Sequence, residues 1–148
     1  MFVIEKTVEI NAPAAIVWEV ISDLARYPEW NPFCLKCEST LKPGDPISMT
    51  VKLMAKPQTQ VETMLEYIEG RRFAYCMKPV PGLLSSFRSH DVDALGAERT
   101  RYTSTFHLKQ WFRVVVLALF QTKLEVGFGA MTDAIKSRAE MLWAQRKP

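Results

Sequence analysis

The chain has 148 residues, 48% of them hydrophobic and 24% charged. That balance excludes disorder and suits one domain, 1–148, whose core needs neither disulfide nor metal. Nineteen basic against sixteen acidic residues give a net charge of +3 without a polybasic run, so no nucleic-acid partner is expected.

The first residues, MFVIEKTVEI, alternate: Phe2, Ile4, Val8 and Ile10 share a face with Lys6, the pattern of a half-buried strand. They lack the basic-then-apolar order of a signal peptide, so none is expected. Asn11 is placed to cap a helix with Pro13 in its first turn. Ile16, Val17, Val20, Ile21 and Leu24 recur at helical spacing. Asp23 is placed to cap a second short helix, LARY, which Pro28 is expected to end by pushing Tyr27 out of the helical region. Pro32 acts likewise on Asn31, so SDLARYPEWNPF reads first as a corner of the chain.

From residue 33 to about 109 the pattern is β. Phe33, Leu35, Cys37, Ser39 and Leu41 share a face; so do Ile47, Met49, Val51 and Leu53; so do Val61, Thr63, Leu65 and Tyr67, with Glu62 and Glu66 facing away. Turns are expected at KPGDP, Gly70, KPVPG and Gly96. Two strands close the region, about 85–94 and 99–109; Tyr102, Ser104, Phe106 and Leu108 lie on one side of the second and His107 on the other.

From Leu124 apolar residues recur at Phe128, Met131, Ile135, Leu142 and Trp143, a helix of about 20 residues or more and roughly 30 Å. Gly127 and Gly129 near its start suit close approach of another element. The longest apolar run, Val114 to Phe120, is seven residues, about 10 Å as helix and too short for a bilayer. The segment 111–120 is expected to be a packed connector, a short helix of its own, rather than a membrane contact. Three cysteines, an odd number, suit a reducing cytoplasm.

The order is strand, two short helices, six strands, long helix. Strands joined by short turns make an antiparallel sheet, and its apolar face must be covered by the long helix. At this point INAPAAIVWEVISDLARYPEWNPF resembles the opening of the START-like superfamily, which includes Bet v 1 and the polyketide cyclase/dehydrase and lipid-transport proteins. GRRFAY, SHDVDAL, ERTRYTSTF and AMTDAIKSRAE are similar to later parts of the same group. The resemblance implies an α+β helix-grip fold: a curved seven-stranded antiparallel sheet around a long C-terminal helix, two short helices after the first strand, and a hydrophobic cavity between sheet and helix.

Chemistry-bearing residues are few. Cys34 and Cys37 form a C-x-x-C, but residues three apart on a strand face opposite ways, and no second pair exists; no metal site is expected. Asp91 and Asp93 beside Arg88 and Arg101 read as surface charge pairs. There is no G-x-S-x-G, H-E-x-x-H or Gly-rich phosphate loop, and no cofactor is expected. His90 shares parity with Arg88 and Val92, and the resemblance gives that position a recurrent His.

The expected function is binding of a small hydrophobic molecule, lipid-, polyketide- or aromatic-like. The candidate lining is Met49, Val51, Leu53, Leu65, Tyr67, Tyr75, His90, Tyr102, Phe106, Met131 and Ile135, with Leu24, Tyr27, Trp30 and Phe33 at the open end. Ligand pockets are largely apolar with a few polar groups, and buried phenols need partners. The alternative is a polyketide cyclase, aromatase or dehydratase using His90 with Tyr67 or Tyr102 as acid and base.

Overall fold

The computed structural model describes residues 1–148. Strand β1 (Phe2–Ile10) leads to α1 (Ala14–Ser22), a 3-10 turn (Leu24–Arg26) and α2 (Tyr27–Trp30). Six strands follow: β2 (Cys34–Ser39), β3 (Pro46–Val51), β4 (Gln58–Ile68), β5 (Arg72–Cys76), β6 (Ser85–Gly96) and β7 (Arg99–Lys109). The chain ends in α3 (Arg113–Arg146). All seven strands form one antiparallel sheet in the order β1-β7-β6-β5-β4-β3-β2. The chain thus carries α1 and α2 from one sheet edge to the other, then returns strand by strand. This is the helix-grip arrangement: sheet and helix each have one apolar side, and each buries it on the other.

Register shifts in β2, β4 and β6 mark bulges, which bend strands and increase twist. The curled sheet closes on the α3 row Leu124, Phe128, Met131, Ile135 and Ala139, all buried. Fully burying one such large apolar side chain contributes about 1.5–3 kcal/mol.

Several local expectations are corrected. The N-cap of α1 is Pro13, with no side-chain cap bond; Asn11 instead donates its backbone N–H to Glu140 at 2.8 Å. Pro28 opens a helical turn rather than ending one, because the first turn leaves its missing N–H unneeded. Tyr27 stays helical before that proline (φ −52°, ψ −39°), held by its buried ring and by its hydroxyl, which donates to the Ile21 carbonyl at 2.5 Å. Asp23 makes no cap bond; it pairs with Arg26 at 3.3 Å. Asn31 is extended, as a residue before proline should be, and its Oδ1 accepts from the Phe33 and Cys34 amides at 3.0 and 2.9 Å. Those bonds fix the corner.

Two bulges change which side chains face inward. The shift between Cys34 and Lys36 buries both Cys34 and Cys37, contrary to strict alternation. On β4 the shift falls between Met64 and Glu66. Before it, Met64 is buried and Glu62 half-buried, while Val61 (64%) and Leu65 (47%) are exposed; after it, Tyr67 turns back inside against Trp18. Leu65 therefore lies on the outer surface, and Glu62 on the inner one.

The third correction concerns α3. It is continuous over 34 residues, about 50 Å, because neither proline nor cap separates 113–120 from the rest. Its first half is packed on one side only: Leu124 and Phe128 are buried, but Val114, Val115, Leu119 and Val126 are exposed, as is Trp111 just before it. An 18-residue window of α3 has a mean hydropathy of 1.5 with only 17% of it buried. Length and composition would suit a bilayer, contrary to the reading from the seven-residue run. The second half, however, is locked in the core through Met131, Ile135 and Ala139, so the helix serves as the grip.

Candidate functional site

Between sheet and helix lies a cavity of about 480 Å³ lined by 24 residues, 19 of them hydrophobic. That size falls within the range of small-molecule pockets. Its walls come from β2 and β3 (Cys37, Ile47, Met49, Val51), β5 and β6 (Phe73, Tyr75, Arg88), β7 (Phe106, Leu108) and α3 (Leu124, Phe128, Met131). The cavity reaches solvent where exposed Gln60 and Lys78 join its wall.

Among the candidate residues, Tyr27, Phe33, Met49, Val51, Leu53, Tyr75, Phe106 and Met131 stand in the cavity wall. Leu24, Trp30 and Ile135 belong to the surrounding core instead, with Trp30 edge-on to Tyr27 at 5.1 Å. Tyr67 packs on Trp18 away from the cavity, its ring centroid 5.7 Å distant. His90 and Tyr102 are fully buried behind the wall.

The groups that sequence reasoning passed over are Arg88 and Glu62. Arg88 was grouped with Asp91 and Asp93 as surface charge; the sheet separates them. Asp91 pairs with Arg72 at 2.7 Å on the outer face, while Arg88, on the opposite side of the strand, is 5% exposed and lines the cavity. Its guanidinium donates to Ser104 Oγ, lies 3.8 Å from Met131 Sδ and sits 4.4 Å from the centroid of Phe128. It forms no ion pair with any carboxylate. A buried cation held only by a hydroxyl, a thioether and an aromatic face retains unused hydrogen-bonding capacity, and burying it carries a desolvation cost. The available signal was its parity with His90 and Val92.

Glu62 is half-buried in the same wall without a hydrogen-bond partner of its own. Burial pushes its carboxyl up to about 7, against a pull from Arg88. The cavity thus holds one buried cation and one carboxyl that burial raises toward neutrality.

Behind the wall runs a hydrogen-bond chain, Tyr75–His90–Tyr102. Burial, helped by the charge of Arg88, holds His90 well below the usual imidazole range, so it is neutral. Burial pushes the Tyr102 phenol up to about 12, against the pull of the Arg88 charge. The Tyr102 hydroxyl lies 2.6 Å from His90 Nδ1 and the Tyr75 hydroxyl 3.4 Å from His90 Nε2. A neutral imidazole donates at one ring nitrogen and accepts at the other, so one phenol donates to it and the other accepts. Tyr75 stands in the cavity wall beside the Arg88 guanidinium; the two residues are paired neighbours on β5 and β6. The polar end of the cavity is therefore built of a guanidinium and a phenol.

Cys34 and Cys37 also reach the cavity as free thiols. Hydrogen bonding with Cys34 and burial push the Cys37 thiol up, so it stays protonated. No group of three or more His, Cys, Asp or Glu side chains gathers anywhere in the molecule.

A family model described as polyketide cyclase/dehydrase and lipid transport matches residues 1–140. Among curated proteins none matches in sequence. Among solved structures, the Zhui aromatase/cyclase from a Streptomyces species is similar at 22% identity and TM-score 0.76, over 94% of this chain and 93% of that one. A START superfamily protein from Mycobacterium smegmatis matches at 16% identity and TM-score 0.68, over 97% of both chains. A norcoclaurine synthase point mutant from Thalictrum, in complex with a transition-state analogue, matches at 19% identity and TM-score 0.66, over 95% of both. At these identities the likeness is one of fold.

Proposed function

We propose that this chain, which belongs to the polyketide cyclase/dehydrase and lipid-transport family, binds a small, largely apolar molecule whose carbonyl, enol or carboxylate oxygen sits between Arg88 and Tyr75. The observation that carries this reading is Arg88 itself: a buried guanidinium facing an apolar cavity with no carboxylate partner. An acceptor oxygen on the ligand would fill that unused capacity, and charge-assisted bonds of this kind are the stronger ones. The apolar walls supply affinity, and the guanidinium and phenol supply orientation. Native mass spectrometry of the purified protein, with a thermal-shift screen of apolar compounds bearing such an oxygen, tests the reading. Bound mass or a raised melting temperature is expected. A screen in which compounds of cavity size leave the protein unchanged contradicts it.

A second reading, cyclisation or dehydration of a polyketone, is favoured by Glu62. With a ketone oxygen at Arg88, the Glu62 carboxylate takes the proton α to that carbonyl. The resulting enolate carbon attacks a second carbonyl of the same molecule, forming the C–C bond. The new alkoxide recovers the proton from Glu62, and loss of water completes the dehydration. In this reading the acid and base belong to the cavity wall, while His90 orients Tyr75 from behind and Tyr67 takes no part. Turnover of a model polyketone that Glu62→Gln abolishes, with binding retained, supports it; binding without turnover by the wild-type protein leaves only the carrier.

A further inference from the structure

We infer that the face around the cavity mouth docks on an anionic phospholipid bilayer. Three segments meet there: the β3–β4 loop (52–57), the β5–β6 loop (77–84) and the stretch 109–124 that opens α3. Each contributes wall residues to the cavity, Leu53, Lys78 and Val116 among them. The Phe112 amide donates to the Leu83 carbonyl at 3.1 Å, tying α3 to one loop. A surface cleft lined by Lys52, Leu53, Met54, Ala55, Thr122 and Lys123 ties it to the other.

Two properties of this face point to one occupant. Its exposed apolar side chains, Val80, Trp111, Val114, Val115 and Leu119, leave the outer side of the helix without a protein partner. A tryptophan at the end of such a stripe is the side chain most suited to the water–lipid boundary. The charge is also one-sided: these segments contain Lys52, Lys56, Lys78, Lys109, Arg113 and Lys123 and neither Asp nor Glu. Along the chain the nearest acids are Glu62, which lines the cavity, and Glu125, one residue beyond the stretch. A stripe of apolar residues among basic ones complements a surface of anionic headgroups over acyl chains. A second copy of the same face would bring like charges together.

The docked orientation turns the mouth toward the lipid, giving a hydrophobic ligand a dry route between cavity and bilayer. Docking itself does not depend on which ligand the cavity holds. Co-sedimentation of the full chain with phosphatidylcholine vesicles, with and without phosphatidylglycerol, reads it directly. Binding is expected only with phosphatidylglycerol. The exposed double variant Lys56→Glu/Lys123→Glu should lose at least roughly 25-fold in affinity, about fivefold for each lysine charge removed and more for each acidic charge added, and Leu119→Glu should lose binding while keeping the melting temperature. Absence of binding to either vesicle, or binding that the charge reversals leave unchanged, overturns the inference. So does sedimentation velocity showing a dimer that Leu119→Glu dissociates without any vesicle binding, which assigns the face to a second copy.

Discussion

The Tyr102 hydroxyl lies 2.6 Å from Nδ1 of His90, with both residues fully buried. This contact couples the imidazole to Tyr102 on one side and, through Nε2, to the cavity-wall Tyr75 on the other. Tyr102→Phe leaves a buried ring nitrogen without its partner, at a cost of about 1–3 kcal/mol. The imidazole is then free to turn, and the Tyr75 hydroxyl loses its fixed orientation toward the cavity. Urea unfolding and titration with one oxygen-bearing ligand should report both effects: lower stability and weaker binding. Tyr67→Phe, outside this chain of bonds, should leave ligand affinity unchanged.

Glu62 and His90 give stability opposite pH slopes. The Glu62 carboxyl is raised from 4.5 to about 7 in the folded protein. The unfolded chain therefore releases that proton first, and stability falls as pH rises from about 4.5 to 7, by at most roughly 3 kcal/mol. His90 is depressed below 6.5; the unfolded chain takes up a proton that the folded one refuses, so stability falls as pH drops below about 6.5. Unfolding free energies from pH 4.5 to 7.5 separate the two. Glu62→Gln should gain most over wild type at the upper end, and His90→Gln should flatten the acid side. Parallel wild-type and Glu62→Gln profiles would remove Glu62 from the account.

The ring of Phe33 occupies the space that a Cβ on Gly127 would need, and it stacks edge-on with Phe128 at 5.1 Å. Gly127→Ala should therefore displace a cavity-wall ring, costing about 1–3 kcal/mol and changing ligand affinity. Gly129→Ala meets only Lys6 Cε at 3.9 Å and should gain up to about 1 kcal/mol of helix propensity. Thermal melts of the two variants should move in opposite directions.

Asn31→Ala withdraws the acceptor used by the Phe33 and Cys34 amides. Two buried N–H groups then lack partners, a loss of about 2–6 kcal/mol. Asn31→Asp keeps the acceptor geometry but buries a charge, since Nδ2 already has no partner. Both variants should lower the denaturation midpoint, and hydrogen exchange should quicken at Phe33 and Cys34.

Alternation and proline placement were enough to read the order of elements, the antiparallel sheet and the gripping helix, because burying one apolar face leaves few other arrangements. The corner at Asn31–Pro32 was legible for the same reason. The bulges were not: nothing in CLKCES or VETMLEYI marks where one residue drops out of the ladder, and that one residue exchanges the roles of Leu65 and Glu62. Arg88 was visible by parity, yet its neighbours Asp91 and Asp93 offered a simpler partner until the sheet placed them on the other side. The length of α3 was hidden because Leu117, Ala118 and Leu119 suit a helix and a packed connector equally.

The most direct test of the central claim is calorimetric titration of a matched ligand pair, an apolar ketone or carboxylate and its hydrocarbon isostere, against wild type and Arg88→Met. Wild type should favour the oxygen-bearing ligand at least tenfold, about 1.4 kcal/mol. Arg88→Met should keep the hydrocarbon's affinity and lose the preference. A variant that still discriminates, or a wild type that never does, would contradict the assignment of Arg88 as the anchor.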